Sequence, residues 1–403
     1  MPEPAASAPP LRGIRVVDAA TLAAGPMVAT ALGEFGAEVI KVEQPGAGDP
    51  LRTWGPMKDG FGLFWKSVAR NKRCVTLDLH HTEGQELFHR LLAVSDVLVV
   101  NNRPSALERW GLDWRPVHGA HPRLVMLHVS GYGGGGPASD RPGFGTLAEA
   151  MSGFAHVTGQ PDGPPTLPPF FLADGVAAQT AAFAVMVALY HRDVHGGRGQ
   201  LVDVNLIEPL SRLIETSTLA YDQLGVVPRR AGNRLDASAP RNVYRTADGR
   251  WVALSSASPN IVVRLYRAVG RPDLAEDPDY VDPVRRQVHG DEIDEVVARY
   301  VAGRPLADVM AVFEAAEVAA APVYDARQLL DDEHLRARGT FVRVEDPDLG
   351  AVTVQASPAR MSATPAGIDH LGRPLGADND AVFGGLLGLD RARLDALRSA
   401  GTI

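Results

Sequence analysis

The sequence predicts an α/β protein: a doubly wound parallel sheet followed by a smaller α+β domain. Three observations carry this prediction. Short runs in the first half are apolar almost throughout, helix-like segments separate them, and the texture changes after about residue 226. Strands buried on both faces read as continuous apolar runs, and alternation with helices makes their pairing parallel.

IRVVDAA (14–20) reads as the first strand. A loop and a helix over about 26–36 follow, with proline at its start and glycine just past its end. EVIKVE (38–43), CVTLDL (74–79), DVLVVN (96–101) and LVMLHVS (124–130) are the next strands, with helices over 84–94 and 104–110 between them. A Gly/Pro-rich stretch, 131–169, then leads to a long small-residue helix that Asp174 opens and HGGRGQ (195–200) stops. LVDVNL (201–206) is a further strand, and a helix covers roughly 207–223. Residues 226–325 read as the small domain, with a Gly-Asn-Arg turn at 232–234 and a strand pair about the turn 247–249. Beyond it, 326–403 return to short helices and strands such as AVTVQAS (351–357). Residues 1–10 read as a mobile leader and 11–225 as the large domain. No fixed period recurs, which argues against a solenoid.

Composition narrows the function classes. The 403 residues carry 40 Lys+Arg against 48 Asp+Glu, a net charge of −8, with 45% hydrophobic and 22% charged residues. Those proportions exclude a disordered or fibrous chain. The acidic balance argues against nucleic acid as a partner, yet leaves room for a small anion held by a local basic cluster. Cys74 is the single cysteine, so an internal disulfide and a cysteine-rich zinc site are excluded. Beside VTLDL it reads as a small buried hydrophobe. The leader MPEPAASAPP lacks the basic and apolar parts of a signal peptide. The apolar run 176–190 is about three residues short of a membrane span and reads as a buried helix. A cytoplasmic protein without a membrane partner is the expectation.

Gly131 to Gly136 match Gly-x-Gly-x-x-Gly, but Pro137 and more loop follow where a nicotinamide site needs a helix start. The motif therefore reads as a Gly-rich loop whose backbone can approach a ligand. No Gly-x-x-x-x-Gly-Lys-Ser/Thr, His-Glu-x-x-His or Gly-x-Ser-x-Gly is present. His191 and His195 share helical spacing but lack an acidic or cysteine partner for a metal, while His80, His81, His118 and His121 read as surface loop residues. Lys41 lies in the second strand, Asn71-Lys72-Arg73 precede the third, Asn101-Asn102-Arg103-Pro104 follow the fourth, and Arg109 lies on the helix that comes next. Each alone reads as solvated charge; gathered at successive strand ends, they suit a phosphate-bearing ligand. Asp174 reads by local logic as a helix N-cap. Flanked by glycine and alanines it is also open to a bulky ligand, and helix N–H groups favour its ionised, nucleophilic form.

Taken in order, several stretches carry a resemblance. They are LRGIRVVDAATLAAGP (11–26), FGAEVIKVEQPGAGDPLR (35–52), NKRCVTLDL (71–79), NNRPSALERWGL (101–112) and SGYGGGGP (130–137). SGFAHVTGQPDGPP (152–165), LADGVAA (172–178), HRDVHGGRGQLVDVNL (191–206) and the 232–251 run continue the series. The chain resembles the class III CoA-transferases, the family of formyl-CoA transferase and carnitine CoA-transferases, over nearly its whole length. The resemblance implies a Rossmann-like large domain built from both chain ends, a small domain between them, and an interlocked homodimer.

It also implies that Asp174 is the catalytic residue, forming an acyl-aspartyl anhydride and then an aspartyl-CoA thioester. Coenzyme A enters as acyl-CoA, the second substrate is a carboxylic acid, and neither ATP, metal nor nicotinamide is required. The CoA contacts implied are Leu22, Ala23, Gln44, Lys72, Arg73, Leu77, His80, Asn101, Asn102, Arg103, Arg109 and Phe144. Ala23, Gln44, His80 and Pro142 replace a glutamine, an arginine and two lysines of formyl-CoA transferase. A larger acyl group, a dicarboxylate or branched acid, therefore suits the chain better than a formyl/oxalyl pair. The 2-methylacyl-CoA racemases share the fold, but Phe144 stands where their second base, a histidine, belongs. An acyl-CoA-binding protein without turnover ranks last, because Asp174 and its small-residue setting remain.

Overall fold

The computed structural model describes residues 8–235 and 238–403. Residues 1–7 of the expected leader, and 236–237 of the 232–251 run, lie outside the described residues. Pro9 is held: its carbonyl accepts the Arg12 N–H at 3.0 Å. Two compact units emerge. The larger comprises residues up to Phe154, Leu167–Leu219 and His334–Ile403; the smaller takes Ala155–Thr166 and Ala220–Glu333, wider than the expected 226–325.

Six strands form the sheet of the larger unit: β1 (Arg15–Asp18), β2 (Glu38–Glu43), β3 (Lys72–Thr76), β4 (Val97–Val100), β5 (Val125–Ser130) and β6 (Leu201–Asn205). Their order in space is β3-β2-β1-β4-β5-β6, and every neighbouring pair is parallel. The chain moves outward from β1 to β3, then crosses to the other side of β1 at β4. Loops leaving β1 and β4 diverge at that reversal, so a crevice opens at the carboxyl ends of the strands.

Seven helices of this unit are α1 (Ala24–Glu34), α2 (Thr82–Leu92), α3 (Pro104–Arg109), α4 (Trp114–Ala120), α5 (Gly145–Met151), α6 (Leu172–Tyr190) and α7 (Glu208–Leu213). Successive side chains of a strand point to opposite faces, and the two faces fill separate cores. Val16, Val39, Val97, Val99 and Leu127 pack with α1 and α6. Val17, Ile40, Leu98, Val100 and Met126 pack with α2 and the C-terminal helix Arg391–Ser399. The chain end completes this unit: Asp378 Oδ2 accepts the Cys74 N–H at 2.8 Å, and Thr402 O accepts that of Asp78 at 2.9 Å.

In the smaller unit β7 (Arg241–Arg245), β8 (Trp251–Ser255) and β9 (Ala320–Pro322) make an antiparallel sheet in the order β9-β8-β7. Its core joins Val252 and Leu254 to Leu265 of α8 (Pro259–Ala268), Val297 of α9 (Gly290–Ala302) and Phe313 of α10 (Leu306–Ala315). Arg286 is wholly buried there, its guanidinium donating to the carbonyls of Ala239 and Val281 at 2.7 Å each.

Several expectations shift. The third strand begins at Lys72 rather than 74, and α5 lies inside the Gly/Pro-rich stretch 131–169, whose turn residues mask a small-residue helix. The helix expected over 207–223 is two, Glu208–Leu213 and Glu215–Leu224. Asp174 is the third residue of α6, with Phe171 at the N-cap position, so it is not the cap. The helical stretch Leu172–Gly196 runs 25 residues and is long and apolar enough to cross a bilayer, contrary to the length argument for 176–190. One side of it is core; the other exposes Phe183, Met186, Val187 and Tyr190.

α1 and α6 lie against each other through Ala24, Val28 and Ala29 on one side and Ala173, Ala177 and Ala181 on the other. Small side chains set a short interaxial distance. Ala181→Leu is expected to cost about 1–3 kcal/mol by overpacking this seam. The urea midpoint should fall with its slope unchanged; an unaltered midpoint contradicts close packing.

Candidate active site

The crevice at the strand ends holds a cavity of about 350 Å³. It is lined by the turn after β1 (Thr21, Leu22, Ala23, Ala24), the residues after β4 (Asn101, Asn102, Arg103), the end of β5 and its loop (Val129, Ser130, Gly131), and Pro142, Gly143, Phe144, Asp174 and Leu206. Close approaches shape it. A Cβ on Gly131 would stand 2.7 Å from the Gly143 Cα, so the two backbones touch where the loop 131–144 folds back. A second cavity of about 260 Å³ shares Thr21 and Asn102 with the first and adds Gln44, Leu77, Leu79, His80 and Trp110.

Asp174 is half-buried in the first turn of α6. The backbone N–H groups of Asp174 itself and of Ala24, the first residue of α1, act on its carboxylate. Those donors favour the charged form, but burial, reinforced by the Glu149 carboxylate, holds its pKa above the ordinary 3.8. The expectation that helix N–H groups keep it readily ionised is thus only half met: desolvation and a like charge outweigh them. Glu149 is buried on α5, and its Oε1 accepts the Ala173 N–H at 3.3 Å. A Cβ on Gly145 would collide with Asp174 Oδ2.

The turn carrying Ala24 is clamped from below. Asn101 Oδ1 accepts the Thr21 N–H at 2.8 Å, and its Nδ2 donates to Thr21 O at 2.7 Å. Asp49 Oδ1 accepts the Leu22 N–H at 3.1 Å, Lys41 Nζ donates to Ala20 O, and Lys72 Nζ donates to Pro26 O at 2.7 Å. Leu22 is left-handed, at φ +64°.

Of the residues expected at the site, Leu22, Ala23, Asn101, Asn102, Arg103, Phe144 and Asp174 line the first cavity. Gln44, Leu77 and His80 line the second. His80 packs edge-on to Trp110, and its Nδ1 lies 2.8 Å from Asp78 Oδ1. Asn101 spends both ends of its amide on Thr21, so it shapes the wall rather than offering a free donor.

Lys72, Arg73 and Arg109 are not brought to either cavity. Lys72 and Arg73 open β3, and the start of a parallel strand lies at the edge opposite its end. Lys72 is wholly buried, 2.9 Å from Asp18 Oδ2, and Arg73 pairs with Glu38 at 2.9 Å. Arg109 is exposed in the last turn of α3, where it and Arg103 lower the pKa of Asp140 behind the stronger effect of Ser105 hydrogen bonds. Lys41, named among the strand-end cations, is buried between Asp49 at 2.9 Å and Asp18 at 3.8 Å. His121, expected as a surface loop residue, stacks on His89 with ring centroids 5.4 Å apart. Among the described residues no group of three or more His, Cys, Asp or Glu is disposed to hold a metal ion.

Sequence reasoning missed Glu149 and Gly145 as neighbours of Asp174. Gly145 follows the Pro142-Gly143-Phe144 run, but its contact is made across 29 residues of chain and has no local signal.

A family model described as CoA-transferase family III matches residues 11–379. The chain belongs to CoA-transferase family III. It is 41% identical over 393 residues to the succinyl-CoA–D-citramalate CoA-transferase of Chloroflexus aurantiacus, covering 96% of this chain and 98% of that protein. It is 31% identical over 390 residues to the succinate–glutarate CoA-transferase of Agrobacterium fabrum, covering 95% and 97%. A CAIB/BAIF family protein from Brucella suis has the same fold, at TM-score 0.83 and 27% identity over 96% of this chain and 100% of that one. The protein is therefore an enzyme, and CoA thioesters are its substrate class.

Two outcomes follow from Asp174 in this family III CoA-transferase. Gly145→Ala should keep the fold but push the carboxylate aside, lowering kcat about 100-fold; steady-state rates near wild type contradict that contact. Because burial raises the folded-state pKa of Asp174, its charge opposes folding at neutral pH. Asp174→Asn should raise Tm at pH 7, with the gain fading as pH falls through the raised folded-state pKa and gone below the ordinary carboxylate value of 3.8. A Tm difference independent of pH contradicts this.

Proposed function

We propose that the enzyme moves CoA from a dicarboxylic acyl-CoA, succinyl-CoA in the first instance, to a second dicarboxylic acid, with Asp174 as nucleophile. The observation that carries the reading is the Asp174 carboxylate on the cavity wall, beside Ala24 at the start of α1. The donor and acceptor follow the named activities of the relatives, succinyl-CoA with citramalate and succinate with glutarate.

The steps balance without ATP or a metal. An Asp174 oxygen attacks the thioester carbonyl, and CoA leaves as thiolate, giving a mixed anhydride. The thiolate attacks the aspartyl carbonyl, the first acid departs as carboxylate, and an aspartyl-CoA thioester remains. The acceptor carboxylate attacks that thioester and frees the thiolate, which then takes the acceptor acyl group and restores Asp174. Each step exchanges one activated acyl bond for another. Backbone N–H groups about the cavity, Ala24 among them, would stabilise the oxyanions. CoA would extend past Leu22, Ala23, Asn102, Arg103 and Phe144 to Gln44, Leu77 and His80.

The active form in this reading is a cytoplasmic interlocked homodimer. The exposed apolar side of α6, with Phe183 72% and Tyr190 62% exposed, supports burial against a second copy. Racemisation is disfavoured by Phe144, 61% exposed at the cavity, which carries no proton to move.

Intact-mass analysis after incubation with succinyl-CoA, with borohydride trapping, tests the mechanism. Wild type should carry a CoA-sized or reduced-aspartate adduct at Asp174, and Asp174→Ala should carry none and lose transfer while still binding CoA. Transfer by Asp174→Ala would sink the mechanism. Deuterium uptake at the acyl α-carbon without any adduct would favour isomerisation instead.

A further inference from the structure

We infer that Asp49 and Lys41 are positioning residues of the transfer reaction: their buried pair holds the turn after β1, and through it aims the Ala24 N–H at Asp174. The inference rests on the reading of Asp174 as nucleophile. Neither side chain lines the cavity that contains Asp174. Both line the second cavity, so an effect through CoA binding would show in KM, whereas one carried by the backbone of residues 20–24 shows in kcat.

The route is continuous. Lys41 is 1% exposed and Asp49 2%. Asp49 Oδ2 stands 2.9 Å from Lys41 Nζ, which donates to Ala20 O. Asp49 Oδ1 accepts the Leu22 N–H at 3.1 Å and also that of Leu51 at 2.9 Å. Two residues on, Ala24 opens α1 and lines the same cavity as Asp174, its N–H favouring the charged carboxylate. Leu22 sits at φ +64°, a region that a branched side chain seldom occupies without restraint. Such strain persists only where the surroundings over-determine it, and it gathers at functional sites. Here the restraint is the Asp49 carboxylate on its N–H.

The charges themselves point the same way. A buried ion pair contributes little to stability relative to apolar packing of the same volume, because both partners lose their hydration. What it does supply is direction: Lys41 and Asp49 form an ion pair, and each also bonds to a specific backbone group of the turn. Lys41 stays charged because Asp18, Asp49 and Glu43 outweigh the effect of burial, and its charge keeps Asp49 ionised against the same burial.

The test is Asp49→Asn in the full-length protein with succinyl-CoA. The amide is isosteric but loses the attraction for Lys41. If Asp49 aims the Ala24 N–H, kcat and the single-turnover rate of adduct formation at Asp174 should fall about 10- to 100-fold, with KM for succinyl-CoA changed less than about threefold. The acid limb of the single-turnover rate should also move to higher pH. The Ala24 N–H favours ionised Asp174, and with it misdirected, burial and Glu149 are opposed only by the N–H of Asp174 itself. A purely structural role would lower the amount of folded enzyme and leave the pH limb where it was.

A folded Asp49→Asn enzyme with wild-type kcat, or one with only KM or only Tm altered, overturns the inference. Should it not fold, Asp49→Ser keeps a capping oxygen for Leu51 while giving up Leu22, and the same criteria apply. Failure of the nucleophile reading is separate: wild type itself would then form no adduct at Asp174.

Discussion

Four charges shut away from water beneath the crevice constrain everything above them. Asp18, Lys41, Asp49 and Lys72 are each 2% exposed or less, two negative and two positive. An unpaired charge in that position costs several kcal/mol, so none can leave without the others. They come from β1, β2, the loop after β2, and β3, and each bonds to the backbone at 20–26. The turn that walls the cavity is thereby tied to three strands at once.

The Asp174 carboxylate is placed by a different device, the absence of side chains. α1 and α6 meet through alanines, Gly145 lies directly against the Asp174 carboxylate, and Gly131 touches Gly143. These small residues bring a carboxylate, a helix start and a second buried carboxylate, Glu149, into one place. The resulting rise in the pKa of Asp174 is a cost to folding and a feature of the site. Enzymes commonly hold such destabilising groups where chemistry needs them.

Much of the fold was legible because its signals are local. Val16/Val17 and Leu98/Val99 alternate between two apolar faces, and that pattern is visible before any contact is known. The site was legible in part. Asp174, Leu22, Ala23 and Asn102 follow from the resemblance and do line one cavity. Lys72 and Arg73 do not, because a cation that precedes a strand and one that follows a strand look alike in sequence but stand at opposite edges of a parallel sheet. Lys72 also runs into the sheet to meet Asp18, a partner 54 positions away that no spacing rule names.

By itself the sequence determined the α/β class, the run of strands, the membership of CoA-transferase family III, and the aspartate to examine. Periodicity, turn residues and ordered motifs are all properties of neighbours along the chain. Only the tertiary structure decided that Asp174 lies within the first turn of α6 rather than capping it, that Glu149 and the Ala24 N–H surround it, and that Lys41 and Asp49 are buried beneath the turn. Those facts depend on burial and on partners brought together from distant strands. Charge, pKa and donor direction are set by that surrounding matter, and it exists only once the chain has folded.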